Sequence, residues 1–407
     1  MFLIKLAILN IGRNPRRSII TILAIAVGLT ALIFLWGFSD GTIEQSKKNI
    51  IRLFTGHIQI HARDFDQNLS PELTLPNRSA LLEKLAKDSQ VTALTERVKC
   101  EALVGTSENS RGVLLIGIDP DREARITDLK KHIKEGEFLS QASGREIMLG
   151  DLLTEKLKLH IGDKAVVLTQ AVDGTLAGYS FRVKGIIHTG SRQIDELSAF
   201  VTIGSARELL DLGNESHELV LLLNERKLVS PFVSKLAHSL DTNVYEILSW
   251  DKIVPEPLMW VKWYETIMHT VFLTVMIVIG VGIMNTVLMS VFERTKELGV
   301  MLAIGTSPAQ VITLILLETF VLELLGTFLG LAAGYLVVFY FGQVGIPFHE
   351  LEQALSQSYV STVTYTWVEP GHVVESVVTL LLITTFIGLY PAWRAARMEP
   401  VKAIYHS

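Results

Sequence analysis

Twenty consecutive residues without a charge, Ile19–Phe38, constrain this chain more than any other feature. As a helix rising 1.5 Å per residue, such a run reaches ~30 Å, the thickness of a bilayer's hydrocarbon core. Lys5, Arg13, Arg16 and Arg17 precede it, as basic residues precede a secretory signal. The run is longer than the ~7–15-residue apolar stretch of a signal peptide, and no small-residue cleavage site follows. It reads as an uncleaved anchor. Three more spans are expected: Ile267–Phe292, carrying only His269; Val311–Phe341, interrupted by Glu318 and Glu323; and Val373–Tyr390, with Glu375 near its outer end.

Direction follows from Lys and Arg in the short flanks. Four such residues precede span one, Arg294 and Lys296 lie between spans two and three, and Arg394, Arg397 and Lys402 follow span four. The loop Gly342–His372 has none, but carries Glu350, Glu352 and Glu369. Both termini and the 293–310 loop are therefore expected in the cytoplasm, with the long insert between spans one and two outside. Trp260, Trp263 and Tyr264 suit an outer interfacial aromatic belt before span two, or the core of the outer domain.

Composition excludes several classes. Of 407 residues only 19% are charged, with a net charge of −5, so no basic face is available for nucleic acid. Cys100 is the single cysteine, which rules out an intrachain disulfide and a cysteine-based zinc site.

Two spans are expected to continue past the bilayer. No proline interrupts 258–298, a helix of ~60 Å, twice the hydrocarbon thickness. After span one, Ile43, Ile50, Ile51 and Phe54 recur at spacings that keep one face apolar. The insert reads as mixed α and β. Strands are expected at His57–His61, Arg111–Ile118, Lys164–Thr169, Tyr179–Ile187, Ala199–Ile203 and Glu218–Leu223, and helices at Arg78–Asp88 and Ser205–Leu212. Asp173-Gly174 signals a hairpin turn within 171–178. Strand-rich stretches on either side of 119–145 suggest a two-part domain.

Chemistry is mostly excluded. There is no Gly-Lys pair, hence no P-loop, and the common hydrolase and zinc-protease signatures are missing. His57 and His61 on a strand lie ~13 Å apart, too far for one ion; a partly exposed strand face is expected. No catalytic residue, metal site or cofactor is expected in this chain. Glu318 and Glu323 inside span three are costly and by default suggest function, with a structural or interface role and proton or ion coupling both open. Five residues of helix set them ~140° apart, so they cannot pair with each other, but Glu318 is near enough to the cytoplasmic end to pair with a basic flank. Gly326, Gly330 and Gly334 form a small-residue face for close helix packing.

Three cytoplasmic segments together resemble the FtsX-like permease family of ABC transporters, of the MacB/LolC/LolE type. The first is Leu6-Ala7-Ile8-Leu9-Asn10-Ile11-Gly12-Arg13-Asn14-Pro15-Arg16-Arg17-Ser18. The second is Glu293-Arg294-Thr295-Lys296-Glu297-Leu298-Gly299 with Ala303-Ile304-Gly305-Thr306-Ser307. The third is Pro391-Ala392-Trp393-Arg394-Ala395-Ala396-Arg397-Met398-Glu399-Pro400-Val401-Lys402-Ala403. Lys184–Gly190 and Asp195–Val201 are similar to the outer-domain core of that family. Two departures stand out. The family often has Arg where this chain has Leu302, and LolC-type subunits carry a long hook where this chain has the short 171–178 turn.

The resemblance implies a membrane protein with four transmembrane α-helices and a large mixed α/β extracytoplasmic domain of the MacB-like periplasmic core kind between helices 1 and 2. The expected division is 1–18, an amphipathic cytoplasmic helix; 19–54, span one and stalk; 55–257, the outer domain; 258–298, stalk and span two; 293–310, the ATPase-coupling loop; 311–341, span three; 342–372, a short outer loop; 373–390, span four; and 391–407, the tail. It further implies a non-catalytic subunit of a mechanotransmitting transporter in a bacterial inner membrane. ATP and Mg would be bound by separate cytoplasmic ABC ATPase subunits. The other implied partners are a second copy or paralogous permease, membrane lipid, a lipoprotein or other amphiphilic cargo, and a periplasmic carrier. Glu293, Arg294, Lys296, Glu297, Gly299 and Gly305 would couple to the ATPase, while Arg16, Arg17, Arg394 and Arg397 anchor the cytoplasmic side. The alternative is a signalling permease that activates an extracytoplasmic hydrolase without moving cargo.

Overall fold

The computed structural model describes residues 2–142, 144–347 and 363–399; for residues 2–5, 8, 255–258 and 260 it describes the backbone alone. Glu350, Glu352, the Trp260 side chain and the last part of the tail motif from Pro400 lie outside the described residues. In chain order the helices are α1 (Phe2–Arg13), α2 (Pro15–Ile50), α3 (Phe65–Asn68), α4 (Arg78–Ala86), α5 (Pro120–Ile126), α6 (Asp151–Leu157), α7 (Arg192–Leu197), α8 (Ile203–Leu210), α9 (Val229–Ser239), α10 (Trp250–Ile253), α11 (Pro255–Glu293), α12 (Thr295–Ala303), α13 (Pro308–Val344) and α14 (Pro370–Ala396). Two compact units result, one helical and one of mixed structure built from Gln45–Trp260.

Among the described residues four helices are long and apolar enough to cross a membrane: Pro15–Thr55, which runs on past Glu44 into the mixed unit, Val261–Glu293, Pro308–Val344 and Pro370–Ala396. Span one's helix begins at Pro15, earlier than the apolar run, because proline's fixed φ suits a first helical turn. The expected unbroken helix over 258–298 is corrected. It ends at Glu293, Arg294 leaves helical geometry (φ −108°, ψ 15°), and α12 starts afresh. α13 is held at its start by a capping box between Ser307 and Gln310, with Pro308 in its first turn. Away from these ends, Trp36 stacks on His372 with ring centroids 4.0 Å apart. Asp40 Oδ2 accepts hydrogen bonds from the Glu369 N–H (2.8 Å) and from His372 Nδ1 (2.9 Å). Trp263 is exposed and Tyr264 half-buried.

The mixed unit is built on one sheet. Its strands are β1 (Ile58–Ala62), β2 (Val91–Gly105), β3 (Ser110–Ile118), β4 (Ile133–Gly136), β5 (Glu146–Gly150), β6 (Lys164–Gln170), β7 (Leu176–Ile187), β8 (Ser198–Thr202), β9 (Glu218–Leu223) and β10 (Tyr245–Ser249). β6 pairs with both β2 and β7, which closes the path β2-β3-β8-β5-β7-β6 into a six-stranded barrel. Inward-facing Val98, Cys100, Val104, Leu115, Phe181 and Val201 are among the residues filling it. From β2 the sheet continues outward through β9 and β1 to the edge strand β10. That wing packs Ile60, Leu219 and Leu221 against Leu81, Phe232 and Leu236 of α4 and α9.

The domain has two parts, barrel and wing, but they do not separate at 119–145: β2 runs through both, pairing with β9 over Val91–Arg97 and with β3 over Arg97–Gly105. His57 and His61 do not occupy a partly exposed face either. Both are buried, because β1 lies inside the wing, flanked by β9 and β10. The Asp173-Gly174 turn forms as expected: Gly174 takes φ +82°, and the Asp173 carboxylate accepts from the Thr175 N–H at 2.9 Å.

Candidate coupling site

Where α11 stops, the chain turns through Arg294 into the short helix α12, and four segments of the helical unit meet. Arg294 donates two hydrogen bonds to Glu318 of α13, at 3.1 and 2.9 Å, and one to Glu297, at 3.2 Å. The Asn10 side chain of α1 donates to the same Glu318 at 2.5 Å. Arg13 pairs with Glu297. Arg17 donates to Glu293 at 3.0 Å and also reaches the Ser290 hydroxyl. Charges distributed over α1, α2, the 293–297 turn and α13 thus form a lattice of two adjoining groups, Arg13–Glu297–Arg294–Glu318 with Asn10, and Arg17–Glu293 with Ser290. Exposed members such as Arg13–Glu297 contribute little alone. In the better-shielded Arg294–Glu318 pair a single guanidinium nitrogen, Nη1, reaches both carboxylate oxygens, a charge-assisted contact stronger than a neutral one.

Of the expected coupling residues, the lattice takes in Glu293, Arg294 and Glu297. Lys296 is exposed on α12, Gly299 is buried within it, and Gly305 follows it at φ +99°. Val300 and Ile304 are exposed apolar side chains at this turn, and Leu302 packs partly into the helical core. Leu302 therefore faces a core that an arginine would not suit. The anchoring arginines divide: Arg17 is in the lattice, Arg16 is exposed, Arg394 lies over the Phe292 ring (5.4 Å) and Arg397 over Trp393 (4.3 Å). Sequence reasoning gave no site role to Asn10, Arg13 or Ser290. Asn10 and Arg13 stand in the first family-like segment, but the partners of all three lie more than 270 positions away.

Gly326, Gly330 and Gly334 face α2. A Cβ at Gly330 would stand 2.9 Å from the Ala26 carbonyl oxygen, and those at Gly326 and Gly334 would meet Ile25 and Ile33 at 2.7 and 2.9 Å. Deeper in the unit, Glu323 accepts from the Thr384 hydroxyl of α14.

In the mixed unit, ligand atoms of Asp151, His188 and Asp195 lie within 4.8 Å of one another, the spacing that could hold a cation. These carboxylates already have donors. Lys134 Nζ is 2.9 Å from Asp151, and the Thr189 and Gly190 N–H groups donate to Asp195, whose carboxyl burial pushes above the usual range. A cleft of about 870 Å³ on the barrel's outside is lined by Leu103, Leu168, Leu176 and Leu197, all exposed.

Four spans, an α/β domain inserted between the first two and a charge-laced turn between the next two define a permease of the ABC transporter kind. The family model for the MacB-like periplasmic core domain matches residues 18–238, and that for the FtsX-like permease C-terminal region matches 270–400. The chain belongs to the MacB/LolC-type family of ABC transporter permeases. It is 24% identical over 404 residues to the lipoprotein-releasing system transmembrane protein LolC of Neisseria meningitidis, covering 96% of this chain and 95% of that one. It is 22% identical over 421 residues to the macrolide export ATP-binding/permease protein MacB 2 of Yersinia pestis, covering 98% of this chain and 57% of that protein. The crystal structure of the periplasmic region of MacB from Actinobacillus actinomycetemcomitans aligns with 49% of this chain and 92% of its own, at 15% identity and a TM-score of 0.36.

Proposed function

We propose that this chain is the membrane subunit of a mechanotransmitting ABC transporter in a bacterial inner membrane, with both termini cytoplasmic. It works with a second copy or a paralogous permease and with cytoplasmic ATPase subunits that bind ATP and Mg. The observation that carries this reading is the charge lattice at the 293–297 turn. A push on α12 by an ATPase bears on Arg13 through Glu297 and, through Arg294 at the head of α12, on Glu318 of span three; Glu293, the residue before Arg294, holds Arg17 of span one. The exposed Val300 and Ile304 supply apolar surface for the ATPase contact. Helix continuing to Thr55 over 41 residues, ~60 Å long, gives span one reach well beyond a ~30 Å hydrocarbon core.

The cargo is lipoprotein or another amphiphile. The leucine-lined cleft on the barrel supports a lipidic rather than a polar one. The short 171–178 turn, closed by the Ala171 N–H to Thr175 carbonyl bond at 2.9 Å, leaves no hook for handing cargo to a periplasmic carrier. That observation keeps a signalling permease, which activates an extracytoplasmic hydrolase, as the second reading.

Affinity purification in mild detergent with identification of bound proteins and lipids tests both. An ATPase is expected to copurify and to be lost on combining Glu293→Ala with Glu297→Ala. Undiminished recovery would overturn the coupling assignment. Reconstituted complex that turns over ATP but never releases lipoprotein would favour signalling.

A further inference from the structure

The far end of the first helix is held by an unusual set of buried charges. After α2, residues Ile51–Thr55 widen into a π-helical turn that Gly56 ends at φ +63°. Short π segments of this kind concentrate at functional sites. A Cβ at Gly56 would sit 2.4 Å from Val220, so the chain passes close against β9 there.

Arg97, in the middle of β2 and almost wholly buried, faces this turn. It donates to both oxygens of Glu123 on α5 (3.1 and 2.6 Å), to Glu218 on β9 (3.1 Å), and to the Phe54 carbonyl (2.8 Å). That carbonyl belongs to a helix end, where backbone oxygens lack intrahelical donors and a cation is favoured. The Phe54 ring covers Arg97 at 5.4 Å and Lys99 at 4.7 Å, and Lys99 pairs with Glu218 at 2.5 Å. The group is balanced, two cations against Glu123 and Glu218. Arg52, two residues back on the helix, donates to the Ile126 carbonyl of α5 at 3.1 Å, and its own carbonyl accepts from the Asp128 N–H at 2.7 Å. Helix end, α5 and β2 are therefore fastened pairwise, each to the other two.

Stability does not require such a group, since a well-packed apolar cluster usually serves as well or better. The placement is what sets it apart. β2 is the strand shared by barrel and wing, so whatever grips β2 moves both cores together. We propose that Arg97, with the Phe54 carbonyl and ring, is the fastening by which span one drives the sheet, a positioning residue in the path of movement. This rests on the mechanotransmission reading.

The test uses the full chain with its copurified ATPase in nanodiscs. Spin labels go on exposed positions, Ser107→Cys at the β2–β3 turn and Tyr390→Cys on span four; Cys100 is buried and silent. Distances are compared without nucleotide and after vanadate trapping. Trapping should shift the distribution in the otherwise unaltered protein. The shift should be lost in Phe54→Ala and Arg97→Lys while ATP hydrolysis persists, and Phe54→Tyr, which keeps the ring, should restore it. A second pair, Lys48→Cys with Ser107→Cys, should give one narrow distance that broadens in the same variants. Phe54→Leu keeps the apolar bulk, so loss of the shift in that folded variant separates fastening from folding. Full shifts and narrow distances in Arg97→Lys and Phe54→Leu would overturn the assignment of Arg97. No shift in the unaltered protein would overturn the mechanotransmission reading, and the driving role with it.

Discussion

Arg294 grips Glu318 through two hydrogen bonds of 2.9 and 3.1 Å, joining the residue that interrupts the helix after span two to a carboxylate inside span three. The pair explains two oddities at once. A carboxylate inside a span is costly unless a cation answers it. A helix break at Arg294 frees the guanidinium to turn back and do so. Asn10 adds a third donor from α1, so Glu318 is the point where three segments converge.

Arg294→Ala leaves Glu318 without its cation. By analogy with broken buried pairs, the expected loss is about 3–5 kcal/mol. Arg294→Ala combined with Glu318→Gln removes both charges and should recover most of that loss. Thermal unfolding of the full chain in nanodiscs reads both variants. Equal destabilisation by the single and double variants would show that the ion pair is not what secures the turn.

The glycines of the spans give a paired prediction. A methyl group at Gly330 meets the Ala26 carbonyl oxygen and Leu29 Cβ, each at 2.9 Å, so Gly330→Ala must push α13 off α2. Overpacking of this kind costs about 1–3 kcal/mol. Gly282, in α11, has nothing within 4 Å of a built Cβ. Gly282→Ala should be neutral or stabilising by up to about 1 kcal/mol through helix propensity. Equal melting temperatures for the two variants would contradict the packing.

How far the sequence is legible follows from the range of the determining interaction. A span is written in consecutive residues, so all four emerge from long apolar runs, even where Glu318, Glu323 and Glu375 interrupt them. The strands Arg111–Ile118 and Glu218–Leu223 alternate or run apolar and are equally plain. β2 is not. Its Glu96, Arg97 and Lys99 interrupt any apolar or alternating pattern, yet all are buried, because Glu218, Glu123 and Arg207 arrive from elsewhere to meet them. Barrel closure rests on three residue pairs between β2 and β6 and leaves no local trace. The charge lattice is half legible for the same reason: Glu293 and Glu297 stand in a recognisable turn, while Arg13 is 284 positions from its partner.

His57 supplies a pH dependence. Burial, with Arg226 and Arg52 nearby, lowers its pKa from 6.5 to about 4. Its Nδ1 accepts from the Leu223 N–H at 2.9 Å, so the fold requires the neutral ring. Burial lowers His217 as well. For a group whose folded pKa lies below the unfolded one, the unfolded chain binds the extra proton first. Stability from His57 is thus full above pH 6.5 and lost as pH falls toward about 4. Urea midpoints of the full chain should drop across that window, and His57→Asn, whose carbonyl can accept the same N–H, should flatten the drop. An unchanged slope in the variant would remove His57 from the account.

The buried carboxylates of span three are answered by neighbouring helices, which bears on the route of transport. Glu318 is answered by Arg294 and Asn10, Glu323 by Thr384, and the Thr30 hydroxyl by the Gly330 carbonyl at 3.2 Å. His269 and Asn285 are exposed rather than joined to these groups. A hydrophilic conduit needs a continuous polar wall, because unpaired polar groups are expensive in hydrocarbon. These residues do not form one, so cargo is expected to be handled from the outer leaflet or beyond it, never passing through this subunit. Single cysteines along the four spans, probed during ATP turnover with a membrane-impermeant thiol reagent, test this directly. The background is low, since burial holds the lone native thiol, Cys100, up at about 11. Labelling confined to the helix ends is the expected result. A continuous labelled stripe from one end of a span to the other would reveal an aqueous path, and movement transmitted along α2 would no longer suffice to explain transport.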